Sequence, residues 1–258
     1  MTLLQGLIMG VVQGLTEFLP VSSSGHLALS RQLLGAGAAT DVGFEVAVHA
    51  GTLLSVLIFF RIKIMLIIKE AVGGYGDGRR LIWYIFIGSL PAGIAGLLLK
   101  GRFEIFINNT TLVGYALCFT AVFLFIGERF AREIVSAGKM GVSRSIWIGI
   151  AQAVAIFPGV SRSGATIAAS MLCGVKKSSA VDFAFLLSLP AVGGAILLTA
   201  LDWKTGSVSV GVEHLAGGIT AAISGYIAIG LILKIVAGGK LYWFSIYCII
   251  IGVLVIVL

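Results

Sequence analysis

Apolar residues in this chain arrive in long runs, with the polar residues gathered between them. Six stretches read as full membrane crossings: about Phe44 to Phe60, Leu81 to Leu99, Leu112 to Ile126, Val181 to Leu201, Leu215 to Ile235 and Leu241 to Leu258. A helix needs about 20 apolar residues to cover the hydrocarbon, and tilt absorbs the mismatch. Two further apolar segments, Leu3 to Leu34 and Ile146 to Cys173, are broken near the middle by Pro/Ser/Gly clusters, Phe18 to His26 and Phe157 to Gly164. Their halves are too short to cross alone, so each reads as a re-entrant helical hairpin.

Composition strengthens this reading. Of the 258 residues, 59% are hydrophobic and 11% charged, against roughly 45–50% and 25% in a soluble domain. That excludes a soluble, disordered or coiled-coil protein and leaves one integral membrane domain, residues 1–258, with no room for a second. The net charge of +7 does not indicate nucleic acid, because the basic residues fall between apolar runs. Arg61, Lys63, Lys69, Arg79 and Arg80 occupy one loop, and Arg129, Arg132, Lys139 and Arg144 another; both belong in the cytoplasm, with the turn from Lys234 to Lys240. The mixed-charge loops Lys100 to Thr111 and Asp202 to His214 belong outside. Cys118, Cys173 and Cys248 stand singly in apolar stretches, without disulfide or metal spacing. The first basic residue is Arg31 and the first apolar run contains Gln13 and Glu17, so this run reads as part of the first hairpin rather than a cleaved signal.

Displacing the chain by 139 residues pairs Gly10 with Gly149, Gln13 with Gln152, Phe18 with Phe157, Val21 with Val160, Ser22 with Ser161, Ser24 with Ser163, Gly25 with Gly164, Gly35 with Gly174 and Phe44 with Phe183. Two repeats follow, about residues 1–128 and 145–258, each one hairpin plus three crossings. Three is odd, so the second repeat must be inverted. The expected fold is an all-α polytopic membrane protein with an inverted-topology repeat, its hairpin tips meeting near the midplane from opposite faces.

Irregular backbone survives at that depth only where protein or a water-filled cavity satisfies it. Gln13 and Glu17 are i and i+4 on one helical face, and Pro20 ends their helix. Ser22, Ser23 and Ser24 then offer caps for a second short helix near Gly25 and His26. In the other hairpin Ser161 or Ser163 caps a helix running from Gly164 through Thr166. Two helix N-termini converging beside Arg162 make a site for a multiply charged anion, phosphate above all. Plainer roles compete: Gln13 as interhelical hydrogen-bond glue, Ser22 and Ser24 as caps, Glu17 and Arg162 as an ion pair locking the hairpins. Ser23, which stands where the second repeat has Arg162, and His26 read as functional, as intramembrane ionisable groups generally do. Glu45 and His49 are ambiguous, Asp182 reads as helix-start electrostatics, and His214 as a solvated loop residue.

Gln13-Gly14-Leu15-Thr16-Glu17-Phe18-Leu19-Pro20-Val21-Ser22-Ser23-Ser24-Gly25-His26 and Pro158-Gly159-Val160-Ser161-Arg162-Ser163-Gly164-Ala165-Thr166 resemble the two signature motifs of the undecaprenyl-diphosphate phosphatases, a family linked to bacitracin resistance. The resemblance covers essentially the whole chain. It implies a multi-pass enzyme of the bacterial cytoplasmic membrane that hydrolyses undecaprenyl diphosphate to undecaprenyl phosphate and inorganic phosphate, recycling the lipid carrier for cell-wall synthesis. It also implies an inverted-repeat fold, a divalent metal such as Mg²⁺ or Ca²⁺, and a site open to the outer face, and it leaves room for a homodimer. By position, the first motif's carboxylate is Glu17, its serine Ser23 and its histidine His26. The second motif's phosphate-binding arginine is Arg162, flanked by Ser161, Ser163 and Thr166. Many members carry Glu where this chain has Gln13, so its helix offers one carboxylate for a metal, Glu17, rather than two.

The chemistry expected is phosphoryl transfer by positioning and charge neutralisation. Arg162, the helix N-termini and the hydroxyls of Ser161, Ser163 and Thr166 hold the diphosphate, Ser23 or a water attacks in line, and His26 is the general base or acid. Glu17 orients His26 or binds the metal. A lipid-phosphate flippase or proton-coupled anion carrier could be built on the same residues; Ser23 beside His26 favours a hydrolase, which needs an activated nucleophile.

Overall fold

The computed structural model describes residues 1–36, 41–99, 109–202 and 211–257. Regular structure among these residues is helical, apart from an isolated bridge between Val135 and Val175. The helices are α1 (Leu3–Phe18), α2 (Ser23–Leu33), α3 (Val42–Phe59), α4 (Arg61–Gly73), α5 (Gly78–Leu98), α6 (Thr110–Arg129), α7 (Val142–Val154), α8 (Arg162–Leu172), α9 (Lys177–Asp202), α10 (Val212–Ala237) and α11 (Tyr242–Val257). Helices α3, α5, α6, α9 and α10 are each long and apolar enough to cross a membrane, which makes this an all-α, multi-pass membrane protein. The sixth expected crossing is α11, whose 16 residues rise about 24 Å. Most of the two expected outer loops, residues 100–108 and 203–210, lies outside the described residues.

Local chemistry sets the helix boundaries. Thr2 and Gln5 close a capping box at the start of α1, and Leu19 is extended before Pro20 and ends it. Asp41 caps α3 by accepting from the Phe44 N–H at 3.1 Å, and Asn109 caps α6 in the same way. Pro91 and Pro190 lie inside α5 and α9, which membrane helices tolerate when neighbours satisfy the freed carbonyls. The basic segment after Arg61, expected as a loop, begins with α4, a helix without a single buried residue. Ile64 and Ile67 pack partly buried against the core, while Ile62, Met65 and Ile68 face outward, so apolar residues lie on both faces and no stripe marks the helix.

Helix pairing brings small residues into contact, as in membrane bundles generally. Helix α1 packs on α10, α10 on α3, α6 on α11 and α5 on α7. A Cβ on Gly10 of α1 would stand 2.3 Å from the Gly217 carbonyl oxygen of α10, and one on Gly149 of α7 would stand 2.3 Å from that of Gly88 in α5. The core beneath the two breaks holds Phe18 edge-on to Phe185, with ring centroids 5.4 Å apart, and Ile148, Ile167, Phe183 and Ile229. Large apolar side chains such as Leu98, Phe125 and Ile227 face outward, while Gln13, Glu17, Gln152 and a row of serines are buried.

Two polar residues depart from expectation. Asp182 pairs with Lys63 of α4. His214 is buried in the first turn of α10; its Nε2 lies 3.1 Å from Asp41 Oδ2, and its Nδ1 accepts from the Gly211 N–H at 3.1 Å. Burial alone would raise the Asp41 pKa, but the Phe44 N–H and the hydrogen bond from His214 outweigh it and hold that carboxyl below its ordinary value.

Candidate active site where two broken helices meet

Ser22 is the only non-glycine residue with positive φ among the described residues, at 70°, a conformation that persists only where the surroundings impose it. It lets the chain reverse directly after Pro20 and places the Ser22 hydroxyl 3.4 Å from the Gly25 N–H it caps. In the second break Gly159 has φ 93°, and Ser161, rather than Ser163, caps α8 by accepting from Gly164 N at 3.1 Å. The breaks interlock. A Cβ on Gly164 would stand 3.2 Å from Pro20 Cβ, and one on Gly25 would stand 3.7 Å from Gly159 Cα. Ser163 Oγ donates to Leu19 O at 3.2 Å, and the Gly159 N–H donates to Ser24 Oγ at 3.4 Å.

At this junction Glu17 is the hub. Its Oε2 accepts from Ser23 Oγ at 2.6 Å and from Gln13 Nε2 at 3.0 Å, and its Oε1 is paired with the Arg162 guanidinium. The carboxylate is 3% exposed and the arginine side chain 23%. The structure thus brings Gln13, Glu17 and Ser23 of the first hairpin together with Arg162 of the second. Arg162 is engaged by Glu17 at one terminal nitrogen, and a guanidinium has five N–H donors in a planar fork. The N–H groups of Ser23, Ser24, Arg162 and Ser163 occupy the first two positions of their helices, where no intrahelical acceptor exists.

Other predicted residues build the frame. Thr166 Oγ1 donates to the Arg162 carbonyl at 2.8 Å, Ser161 and Ser163 share a hydrogen bond at 3.2 Å, and Ser22 and Ser24 share one at 3.3 Å. His26 lies one turn beyond Ser22. Its Nδ1 is 2.8 Å from the Ser22 carbonyl oxygen, and its Nε2 is 2.7 Å from the Tyr247 hydroxyl of α11. Ser23 is therefore bonded to Glu17, with the imidazole turned toward α11.

A family model described as "Bacitracin resistance protein BacA" matches residues 6–254. The chain belongs to this family. It is 38% identical to the undecaprenyl-diphosphatase of Methanosphaera stadtmanae, with 99% of this chain and 98% of that protein covered. It is 40% identical to that of Desulfosudis oleivorans, with 96% of each covered, and 39% identical to that of Carboxydothermus hydrogenoformans, with 98% and 96% covered.

Within this family member two site residues were not foreseen in the sequence. Tyr247 lies in an apolar run, where an aromatic residue reads as an interfacial anchor. Thr120 of α6 donates to Gly159 O at 3.3 Å and accepts from the Ser161 N–H at 3.1 Å, tying the second break to a crossing helix; a lone threonine in an apolar run gives no sign of this. Among the described residues no cluster of three or more His, Cys, Asp or Glu side chains could hold a metal. Gln13 Oε1, however, is buried without a hydrogen-bond partner among them. With the Glu17 carboxylate it forms a pair of hard oxygen donors, and Mg²⁺ typically takes few protein ligands and completes its shell with water and phosphate. The donor set therefore fits a divalent cation held jointly with a phosphorylated substrate.

Proposed function

We propose that this protein is an undecaprenyl-diphosphatase, a membrane hydrolase that converts undecaprenyl diphosphate to undecaprenyl phosphate and inorganic phosphate and returns the lipid carrier to cell-wall synthesis. The observation that carries this reading is the chain Ser23 Oγ to Glu17 to Arg162. It supports the reading of Ser23 as nucleophile, Glu17 as base and Arg162 as phosphate-binding cation, gathered at two helix N-termini. A carrier needs the cation and a protonatable group, but gains nothing from a hydroxyl held on a carboxylate.

The diphosphate enters with its lipid tail among the helices and takes Arg162 and the free N–H groups of the two first turns. Phosphate thereby displaces Glu17 from the guanidinium. The Oε1 of Glu17 is then released from the arginine, while its Oε2, already bonded to Ser23 Oγ at 2.6 Å, takes the serine proton as Ser23 approaches phosphorus. Ser23 Oγ attacks the terminal phosphorus, its proton passes to Glu17, and the bond from that phosphorus to the bridging oxygen breaks, so that undecaprenyl phosphate leaves. Water then releases phosphate from the serine, with Glu17 returning the proton. His26, held at Ser22 on the same hairpin, serves as a general base through Nε2. A divalent cation, Mg²⁺ or Ca²⁺, bound by Glu17 and the Gln13 carbonyl with the diphosphate, would supply further charge neutralisation.

The two repeats are inverted and related by a twofold axis in the membrane plane. The exchanged contacts support this: a shift of 139 residues turns the Pro20 and Gly164 contact into that of Gly159 and Gly25. The protein resides in the bacterial cytoplasmic membrane with the site open to the outer face, a placement supported by the basic residues from Arg61 to Arg80 and Arg129 to Arg144.

Phosphate release from a prenyl diphosphate by the purified protein in detergent, with and without chelator, tests the reading. Release that is lost in Arg162→Ala and Ser23→Ala is expected. Lipid movement across vesicles without phosphate release would establish the carrier instead.

A further inference from the structure

We propose that Tyr247 is a positioning residue for His26, gripping the imidazole together with the Ser22 carbonyl so that a single tautomer is presented; this rests on the reading of the site given above. The Ser22 carbonyl oxygen lies 2.8 Å from His26 Nδ1 and can only accept, so Nδ1 carries a proton. In the neutral ring Nε2 is then the lone-pair atom, and the Tyr247 hydroxyl 2.7 Å away donates to it. The two rings stack with centroids 5.6 Å apart and planes inclined by 16°, so the phenol restrains the imidazole in plane and in tilt as well as at one atom. Helix α11 is itself pinned at the break: Cys248, the next residue, is fully buried and its Sγ lies 3.5 Å from the Pro20 carbonyl oxygen. A Cβ on Gly252, one turn further, would stand 2.8 Å from the Gly114 carbonyl oxygen of α6.

Second-site groups that fix which imidazole nitrogen bears the proton are a recurring part of histidine chemistry. Here the holder comes from the last helix of the chain, so the far repeat contributes to His26 as well as supplying Arg162. Tyr247 acts through His26 and makes no contact with the reacting phosphorus.

The test is Tyr247→Phe, which keeps the stacked ring and removes the hydroxyl. Protein labelled with ¹⁵N-histidine, with the His26 signal assigned by its loss in His26→Gln, should show the Nδ1–H tautomer in the parent and a mixture of tautomers in Tyr247→Phe. Loss of one hydrogen bond of ordinary worth should lower kcat about tenfold and leave KM within about twofold. In the His26→Gln background Tyr247→Phe should cost nothing more. An unmoved His26 signal, unchanged kcat, or an additive loss in the double variant would overturn the proposal. If the parent releases no phosphate, the functional reading fails, while the tautomer measurement still decides the grip.

Discussion

Replacing Glu17 by Gln separates the roles the site gives to that carboxylate. The change preserves shape, so the packing of Gly14 and Phe18 beside it need not move, and the new amide can still meet Ser23 through its carbonyl oxygen. What disappears is the charge that pairs with Arg162 and the base that takes the Ser23 proton at 2.6 Å. General-base catalysis is worth about 10²- to 10⁴-fold in rate, and kcat should fall by that factor. Because Glu17 competes with phosphate for the guanidinium, KM should not rise, and inorganic phosphate should inhibit the variant more strongly than the parent. Stripping one partner from a fully buried ion pair costs about 3–5 kcal/mol. With the Arg162 side chain 23% exposed, the loss of thermal stability should correspond to roughly half of that. The assays are steady-state phosphate release over a range of prenyl diphosphate concentrations and a melting curve in the same detergent. Unchanged kcat with a raised KM would refute the base and leave Glu17 a binding residue. Recovery of kcat with excess Mg²⁺ would likewise refute the base, transferring the role to a metal ligand.

Arg162→Lys should lose most activity, because a point charge on a flexible stem cannot reproduce the planar fork; near-normal turnover would refute the role. Gly10→Ala and Gly149→Ala should do comparable damage. Each new methyl would stand 2.3 Å from a facing carbonyl oxygen, so the helices must part by about 1 Å, at an overpacking cost of roughly 1–3 kcal/mol; melting temperatures in detergent check the pair, and a harmless Gly149→Ala would show that α5 and α7 can separate freely. Asp41→Asn should lower the melting temperature at neutral pH, and the gap from the parent should close on acidification. The folded Asp41 carboxyl lies below its unfolded value, so its stabilisation is present above about pH 4 and is lost as pH falls through the folded value. A gap that persists in acid would show that the Asp41 charge contributes nothing.

The crossing runs and the two breaks were legible because the membrane imposes one rule on every residue: backbone must be hydrogen-bonded internally, and side chains facing lipid must be apolar. Gln13, Glu17, Ser23 and Arg162 stood out as violations of that rule, and they converge in the fold. What stayed hidden obeys the rule locally and acts over distance. Tyr247 belongs to an apolar run and meets His26 from 221 positions away. Thr120 is the one threonine in the apolar run from Leu112 to Ile126. His214 follows a polar stretch that reads as loop, and Asp41 at one ring nitrogen and the Gly211 N–H at the other make its burial tolerable. Helix α4 escaped because its apolar residues lie on both the packed and the outward face, Ile64 and Ile67 against the core and Ile62, Met65 and Ile68 away from it, so no stripe shows. The choice of base was hidden for a related reason: spacing put Ser23 near both Glu17 and His26, and the ring's attachment to the Ser22 carbonyl turns it away from the serine.

The 139-residue correspondence fails at three positions in the site, Glu17 against Ile156, Ser23 against Arg162 and His26 against Ala165, and that failure organises the chemistry. Ser22 matches Ser161 and Ser24 matches Ser163, so both hairpins cap and reverse the chain alike, yet between them Ser23 faces Arg162 in the register. Gln13 likewise matches Gln152, while Glu17 corresponds to Ile156. A symmetric pair of hairpins would carry either two hydroxyls and two carboxylates or two uncompensated guanidinium groups at the centre of the bundle, and the second arrangement would cost several kcal/mol per ion. Dividing the roles solves this: one hairpin brings the nucleophile and its base, the other brings the cation that balances the base until phosphate arrives. If that division is what the site requires, exchanging the two residues as Ser23→Arg with Arg162→Ser should restore the ion pair with Glu17 sooner than it restores turnover. A double variant that melts near the parent but releases no phosphate is the expected result, and one that is fully active would show that the two hairpins are interchangeable.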